Sequence, residues 1–187
     1  MARLRFETVR DVFEAFPIAE HELNIEPNDE PSLRFLETLV SSGEFDKAVG
    51  FCAFLLPRRE AVWWGCRAVR MLVPNLSAEE AKAIRVAEDW VHEPEEDRRA
   101  AALETGRSGS SKLPSTYLAL AAGWSGRSMS LGDGGETIPV APHQTARVVR
   151  AAVLVAACRV SVAEKPDLLR RCLEDGIQIA ADESEGA

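Results

Sequence analysis

The sequence predicts an all-α protein, and three observations carry that prediction. Apolar residues recur at helical spacing in nearly every segment that has a clear period. Proline, glycine or serine stands where most of these segments begin or end, as is usual at helix termini. Only residues 137–140 have the composition of a strand. We therefore expect about eight or nine helices, packed as antiparallel hairpins, with one long loop rich in glycine, serine and proline.

The individual helices follow from their apolar stripes and their terminal residues. Ser77 precedes one helix, and Glu80 stands three residues later, which is the spacing of a capping box. Pro57 is suited to the first position of a helix because its missing N–H costs nothing there. Asp167 is expected to cap the last helix. The predicted helices cover residues 8–16, 32–40, 45–56, 57–73, 78–92, 94–104, 114–124, 145–162 and 168–181.

Two segments between helices are predicted to be irregular. Residues 105–111, TGRSGSS, have the composition of a linker or flexible loop. Residues 125–142 contain four glycines and two prolines and are expected to form a long loop, a kind of segment that often serves function. The acidic tail, 182–187, is expected to fray.

The length of 187 residues predicts a single helical domain over 1–187. Within it, the composition of 105–113 predicts two sub-lobes, 1–104 and 114–182, joined by that segment. Residues 43–48, GEFDKA, with Pro57 downstream are similar to the second half of a tetratricopeptide unit. The motif does not recur at a fixed period, so the expected architecture is only partly solenoid-like.

Composition limits the classes of partner. The net charge is −8 and the pI is near 5.0, which argues against nucleic acid because phosphate binding needs a basic face. The longest apolar run, 151–158, is too short to cross a membrane. The four cysteines form no CxxC pair, and no secretory signal is visible at 1–16, so we expect reduced, buried thiols and a cytoplasmic protein.

The helix over 57–73 carries adjacent tryptophans, Trp63 and Trp64, among several arginines. At about 100° per residue, the two side chains point in different directions. Trp64 borders the apolar face and is expected to pack at the edge of the core. Trp63 falls between Arg59, Arg67 and Arg70, either as an anchor between helices or as part of a surface for a partner. The expected core positions of this helix are Ala61, Val62, Gly65, Cys66, Ala68, Val69, Leu72 and Val73.

No motif in the sequence predicts a reaction, a cofactor or a metal. The three histidines lie far apart and form no ligand pair of the HxxxH or ExxH type. The cysteine pairs Cys52/Cys66 and Cys158/Cys172 share a spacing of 14, but a zinc site spread over four helices is unusual. Neither a nucleophile elbow nor a P-loop is present. We therefore predict no catalytic, cofactor-binding or metal-binding residues.

Three stretches together resemble a family of uncharacterised bacterial proteins, a domain of unknown function that covers most of the chain. They are LPRREAVWWGCRAVR at 56–70, YLALAAGWSGRSMS at 117–130 and TARVVRAAVLVAAC at 145–158. The resemblance implies an association with type VI secretion gene clusters and supplies no catalytic residues. This chain departs from the family's pattern after residue 126, where relatives are richer in proline.

These observations lead to three hypotheses about function. The first is a non-enzymatic helical adaptor or accessory protein that binds another protein, in the setting of a bacterial type VI secretion system. The second is an enzyme of unrecognised type, and the third is a structural module that associates with itself as a homo-oligomer. For the first hypothesis, Trp and Arg side chains and the long loop supply the surface. The candidate partner-binding residues are Trp63, Arg59, Arg67, Arg70, Trp124 and Arg127.

Overall fold

The computed structural model describes residues 5–126, 128–130 and 137–186. Within these residues the chain forms ten helices and one short antiparallel hairpin, so the all-α prediction is confirmed and the helix count is slightly higher than expected. The elements are α1 (Val9–Ala15), α2 (Pro17–Leu23), α3 (Ser32–Ser41), α4 (Phe45–Leu55), α5 (Arg58–Leu72), α6 (Ala78–His92), α7 (Glu96–Ser108), α8 (Pro114–Gly123), β1 (Ser128–Ser130), β2 (Thr137–Pro139), α9 (Gln144–Ala157) and α10 (Lys165–Gly186).

Helix ends follow local sequence in several places. Ser77 and Glu80 form the predicted capping box at the start of α6. Thr8 and Asp11 form a second one at the start of α1. Gly43, between α3 and α4, has a φ of 77°, a left-handed conformation that disfavours other residues. Pro57 is the N-cap of α5 rather than its first residue.

One hydrophobic core joins the helices. Helix α5 contacts α6, α8, α9 and α10, and α4 contacts α2, α3, α9 and α10. All eight predicted core positions are buried, seven of them in α5 and Val73 just after it. Gly65 permits the close approach of neighbouring helices, because a Cβ atom there would lie 2.7 Å from Leu118 of α8 and 3.0 Å from Val149 of α9. The largest fully buried side chains include Trp64, Phe51, Phe54 and Leu36.

The predicted linker over 105–111 is wrong in its first half. Helix α7 continues through Thr105 and Gly106 to Ser108. Gly106 is buried, and a Cβ atom there would lie 2.8 Å or less from three atoms of Leu120 in α8. Its small size therefore serves close helix packing, whereas the composition alone resembled a loop.

Five other features differ from the predictions. Helix α2 was not expected, because its seven residues are too few to establish a period. Helix α9 ends at Ala157 rather than at 162, and α10 begins at Lys165, so Asp167 lies in its first turn instead of capping it. Helix α10 continues into the tail that was expected to fray. Within the predicted loop over 125–142, Ser128–Ser130 pairs with Thr137–Pro139.

Candidate functional site

Helix α5 places its two tryptophans in different environments. Trp64 is fully buried, deeper than the core edge that was predicted, and its Nε1–H donates a hydrogen bond to the Cys172 carbonyl oxygen at 2.8 Å. Gly176 of α10 lies against the same indole, since a Cβ atom there would be 2.8 Å from Nε1. Trp64 therefore joins α10 to α5 and is not available to a partner.

Trp63 is partly buried and faces a cleft on the surface. The His92 ring meets its indole edge to face, with a centroid distance of 5.7 Å and an interplanar angle of 62°. The Arg67 guanidinium carbon lies 5.7 Å from the indole centroid. The cleft beside it has a volume of about 350 Å³. We call it the Trp63 cleft, and its lining residues are Arg59, Glu60, Trp63, Val91 and His92.

The three arginines predicted to surround Trp63 all have partners within the protein. Arg59 donates from Nε to the Val91 carbonyl oxygen at 2.6 Å. Arg67 makes two hydrogen bonds to the Asp175 carboxylate, at 2.7 and 2.5 Å, and these bonds raise the pKa of Arg67. Arg70 binds Glu88 in the same two-pronged manner, at 2.9 and 2.8 Å, and lies outside the cleft lining.

Trp124 lies in a second, smaller cavity of about 170 Å³, and is not among the residues lining the Trp63 cleft. It follows the last residue of α8, and its Nε1 is buried with no hydrogen-bond partner in the part of the chain that the structure describes. Arg127, the remaining candidate, lies outside the described residues. The other residues lining this cavity are Pro139, Val140, Ala141 and Gln144.

Arg58 holds the base of the predicted loop and was not singled out from the sequence. Its Nη1 donates to the Ser125 carbonyl oxygen at 2.7 Å, and its Nη2 lies 3.5 Å from the Pro142 carbonyl oxygen. These contacts attach both ends of the 125–142 segment to the first turn of α5. The partners are 67 and 84 residues away in sequence, so no local signal could have revealed them.

A third concave surface, which we call the Arg150 groove, was also missed. It has a volume of about 610 Å³ and lies where α2, α4, α9 and α10 meet. Arg150 of α9 crosses above Gly50 of α4, where a Cβ atom would lie 3.1 Å from its Nε. The residues lining the groove are Glu22, Leu23, Gly43, Glu44, Phe45, Asp46, Lys47, Arg150, Val162, Lys165, Pro166 and Leu169.

Arg150 has no polar partner among the described residues, and its Nε is buried. A buried donor without a partner costs about 1–3 kcal/mol. The other charges of the groove are mostly paired: Glu22 with Arg147 at 2.7 Å, and Glu44 with Lys47 at 2.5 Å. Arg150 is therefore an unmatched charge in this groove, together with Asp46 and Lys165.

Three of the four cysteines are buried as predicted, whereas Cys158 is exposed because α9 ends just before it. Burial raises the pKa of Cys172 to about 12 and also raises the pKa values of Cys52 and Cys66. Across the described ranges, no three or more His, Cys, Asp or Glu side chains come together in a way that could hold a metal ion.

The protein is thus of the all-helical class and carries two named concave surfaces, the Trp63 cleft and the Arg150 groove. None of the helices in the described part of the chain is long and apolar enough to cross a membrane. A sequence model of the family of unknown function DUF6931 matches residues 35–180, so the chain belongs to that family. The predicted resemblance to an uncharacterised family is thereby confirmed. No curated protein and no solved structure matches the chain.

Proposed function

We propose that this protein is a non-enzymatic helical adaptor or accessory protein, and that it binds another protein through the Trp63 cleft. The observation that carries the proposal is that Trp63 is held in place by His92 and Arg67 and is still partly exposed to solvent. The setting, the cytoplasm of a bacterium with a type VI secretion system, rests on the resemblance described above. The proposal also keeps the expectation that consecutive helices pack as antiparallel hairpins, partly as in a helical solenoid.

The walls of the cleft favour binding because they are already ordered. His92 packs on the Trp63 indole, and Arg59 is fixed by its bond to the Val91 carbonyl oxygen. Ordering a flexible side chain on binding costs about 0.5–1.5 kcal/mol, so walls that are fixed beforehand leave more of the contact energy for affinity. Tryptophan is among the residues that most often dominate an interface energetically.

The charges near the cleft argue for contact through the indole rather than through free arginines. Arg67 and Arg70 each hold a carboxylate of this protein, so a partner would have to displace Asp175 or Glu88 to use them. Arg59 uses its Nε internally and lines the cleft. A partner of this cleft should therefore present an apolar or aromatic side chain to Trp63, with polar contacts at the rim.

The test compares three proteins as bait in an extract of a native host: the wild type, Trp63→Ala and Tyr117→Ala. Tyr117 is a partly buried aromatic residue that lines none of the three concave surfaces described above, so it controls for the loss of a ring. A protein retained by the wild type and by Tyr117→Ala, but lost with Trp63→Ala, is then purified. Its affinity for the wild type should exceed that for Trp63→Ala by about 30-fold, the effect of a 2 kcal/mol hot spot.

Other outcomes would replace the proposal. If the wild type and Trp63→Ala capture the same proteins, the cleft is not the interface. If light scattering detects self-association that Trp63→Ala abolishes, the protein is the self-associating module of the third hypothesis. If a purified ligand of the Trp63 cleft is chemically converted, the enzyme hypothesis takes its place.

A further inference from the structure

We propose that the Arg150 groove is a binding site for a small organic monocarboxylate with an apolar body. The site is separate from the Trp63 cleft, and no residue lines both. The proposal rests on the size of the groove, its apolar walls and the unmatched guanidinium of Arg150.

The size and walls of the groove suit a small molecule. Its volume of about 610 Å³ falls within the range of roughly 300–1,000 Å³ that is usual for ligand pockets. Leu23, Phe45, Pro166 and Leu169 give it apolar surface, to which a hydrocarbon body would bind. Charged side chains stand beside these apolar walls, and polar groups at defined positions are the usual means by which a pocket fixes the orientation of a ligand.

Arg150 supplies the polar contact that such a ligand needs. Its Nε is buried without a hydrogen-bond partner, and none of its nitrogens has one in the described part of the chain. A carboxylate binds a guanidinium through two parallel hydrogen bonds, and this pairing is among the strongest that a protein can make with an anion. Because Nε is shielded from solvent against α4, the ligand carboxylate would pair with the two Nη groups at the end of the guanidinium, which have no partner within the described residues.

The remaining charges favour a monoanion over a phosphate. Lys165 adds a second unpaired cation, but Asp46 adds an unpaired carboxylate to the same lining. Glu22 and Glu44 also line the groove, although each is paired with a cation. With Arg150 and Lys165 counted as +1 each and Asp46 as −1, the unpaired side chains carry a net charge of +1, which a monocarboxylate balances and a doubly charged phosphate exceeds.

Octanoate is the probe for the test, with binding followed by calorimetry and by backbone amide NMR shifts. For the wild type we expect saturable binding with a dissociation constant on the order of 0.1–1 mM. The amides of Gly43, Phe45 and Leu169 should shift, because these residues line the groove. Arg150→Met, which keeps the apolar stem and removes the charge, should weaken binding at least tenfold. Arg98→Met on α7 makes the same change of charge outside the groove and should leave the affinity within twofold.

A second pair of variants tests the proposal even if Arg150→Met disturbs the fold. Val162 lines the groove and is 86% exposed, so polar residues are tolerated there. Val162→Asp should weaken octanoate binding severalfold, and Val162→Lys should preserve or strengthen it. The proposal is wrong if the wild type does not bind octanoate saturably, if Arg150→Met binds it equally well, or if the amide shifts fall outside the groove. Tighter binding of octyl phosphate or octylamine than of octanoate would also overturn it.

Discussion

Replacing Glu80 with glutamine should lower the free energy of unfolding by about 2 kcal/mol at neutral pH. Glu80 is only 4% exposed, and its carboxylate accepts three hydrogen bonds. The Ser77 backbone N–H and hydroxyl donate to Oε2 at 3.0 and 2.9 Å, and Arg159 donates to Oε1 at 2.5 Å. Hydrogen bonds to a charged group contribute about 1.5–3 kcal/mol, and the glutamine amide keeps one of the two acceptor oxygens.

The effect should depend on pH in a definite direction. Burial raises the pKa of Glu80, but the hydrogen bonds from Ser77 and Arg159 outweigh it, so the net pKa lies below its usual value. A carboxylate whose pKa falls on folding stabilises the protein above its unfolded pKa of about 4.3. That contribution is lost as the pH falls through the folded pKa. The difference in the free energy of unfolding between the wild type and Glu80→Gln should therefore be largest at neutral pH and should disappear in acid.

The assay is urea unfolding followed by circular dichroism, at pH 7 and at a series of lower pH values. Glu96→Gln is the matched control, because Glu96 also lies in a first helical turn, pairs with Arg99 and has a lowered pKa, yet its side chain is 72% exposed. An exposed pair contributes about 0–1 kcal/mol. Equal losses in the two variants, or a gap for Glu80→Gln that stays constant into acid, would refute the reasoning.

Two further predictions concern packing and thiol chemistry. Gly176→Ala should lower the free energy of unfolding by about 1 kcal/mol. Overpacking costs about 1–3 kcal/mol, and the higher helix propensity of alanine offsets about 1 kcal/mol of that cost. The new Cβ would lie 2.6 Å from the Cys52 Sγ, so Cys52→Ala in the same chain should recover part of the loss, as thermal unfolding would reveal. A thiol reagent should label Cys158 rapidly in the native protein, and the buried Cys52, Cys66 and Cys172 only after unfolding, as mass spectrometry would detect. Rapid labelling of all four would contradict the burial described above.

The sequence predicted most helices because their stability comes from an apolar face with a regular period. The core side of α5 could be assigned except for Trp64, which lies deeper than predicted, since all eight predicted positions are buried. Composition was misleading at Gly106, where a small residue permits close helix packing rather than a loop. Helix α2 was not predicted, because its two turns are too short to show a helical period in the sequence.

The candidate site was predictable only in part. The spacing of Trp63 and Trp64 correctly indicated different directions for the two side chains. It could not reveal that Arg67 binds Asp175, which lies 108 residues away and removes a charge that the pattern assigned to a partner. Arg150 was hidden for the opposite reason: it stands in an apolar helix, and only the packing of distant elements leaves its Nε buried without a hydrogen-bond partner.

Arg58 binds the Ser125 and Pro142 carbonyl groups, so the first turn of α5 fixes both ends of the chain between those two points. Because α5 holds both ends, the segment can be lengthened at an entropic cost that grows only slowly with the number of residues. The chain between the two anchor points is thus a natural position for grafting an epitope or a fluorescent reporter. If the helical domain keeps its stability with such inserts, the sequence of this segment can also change in evolution independently of the core.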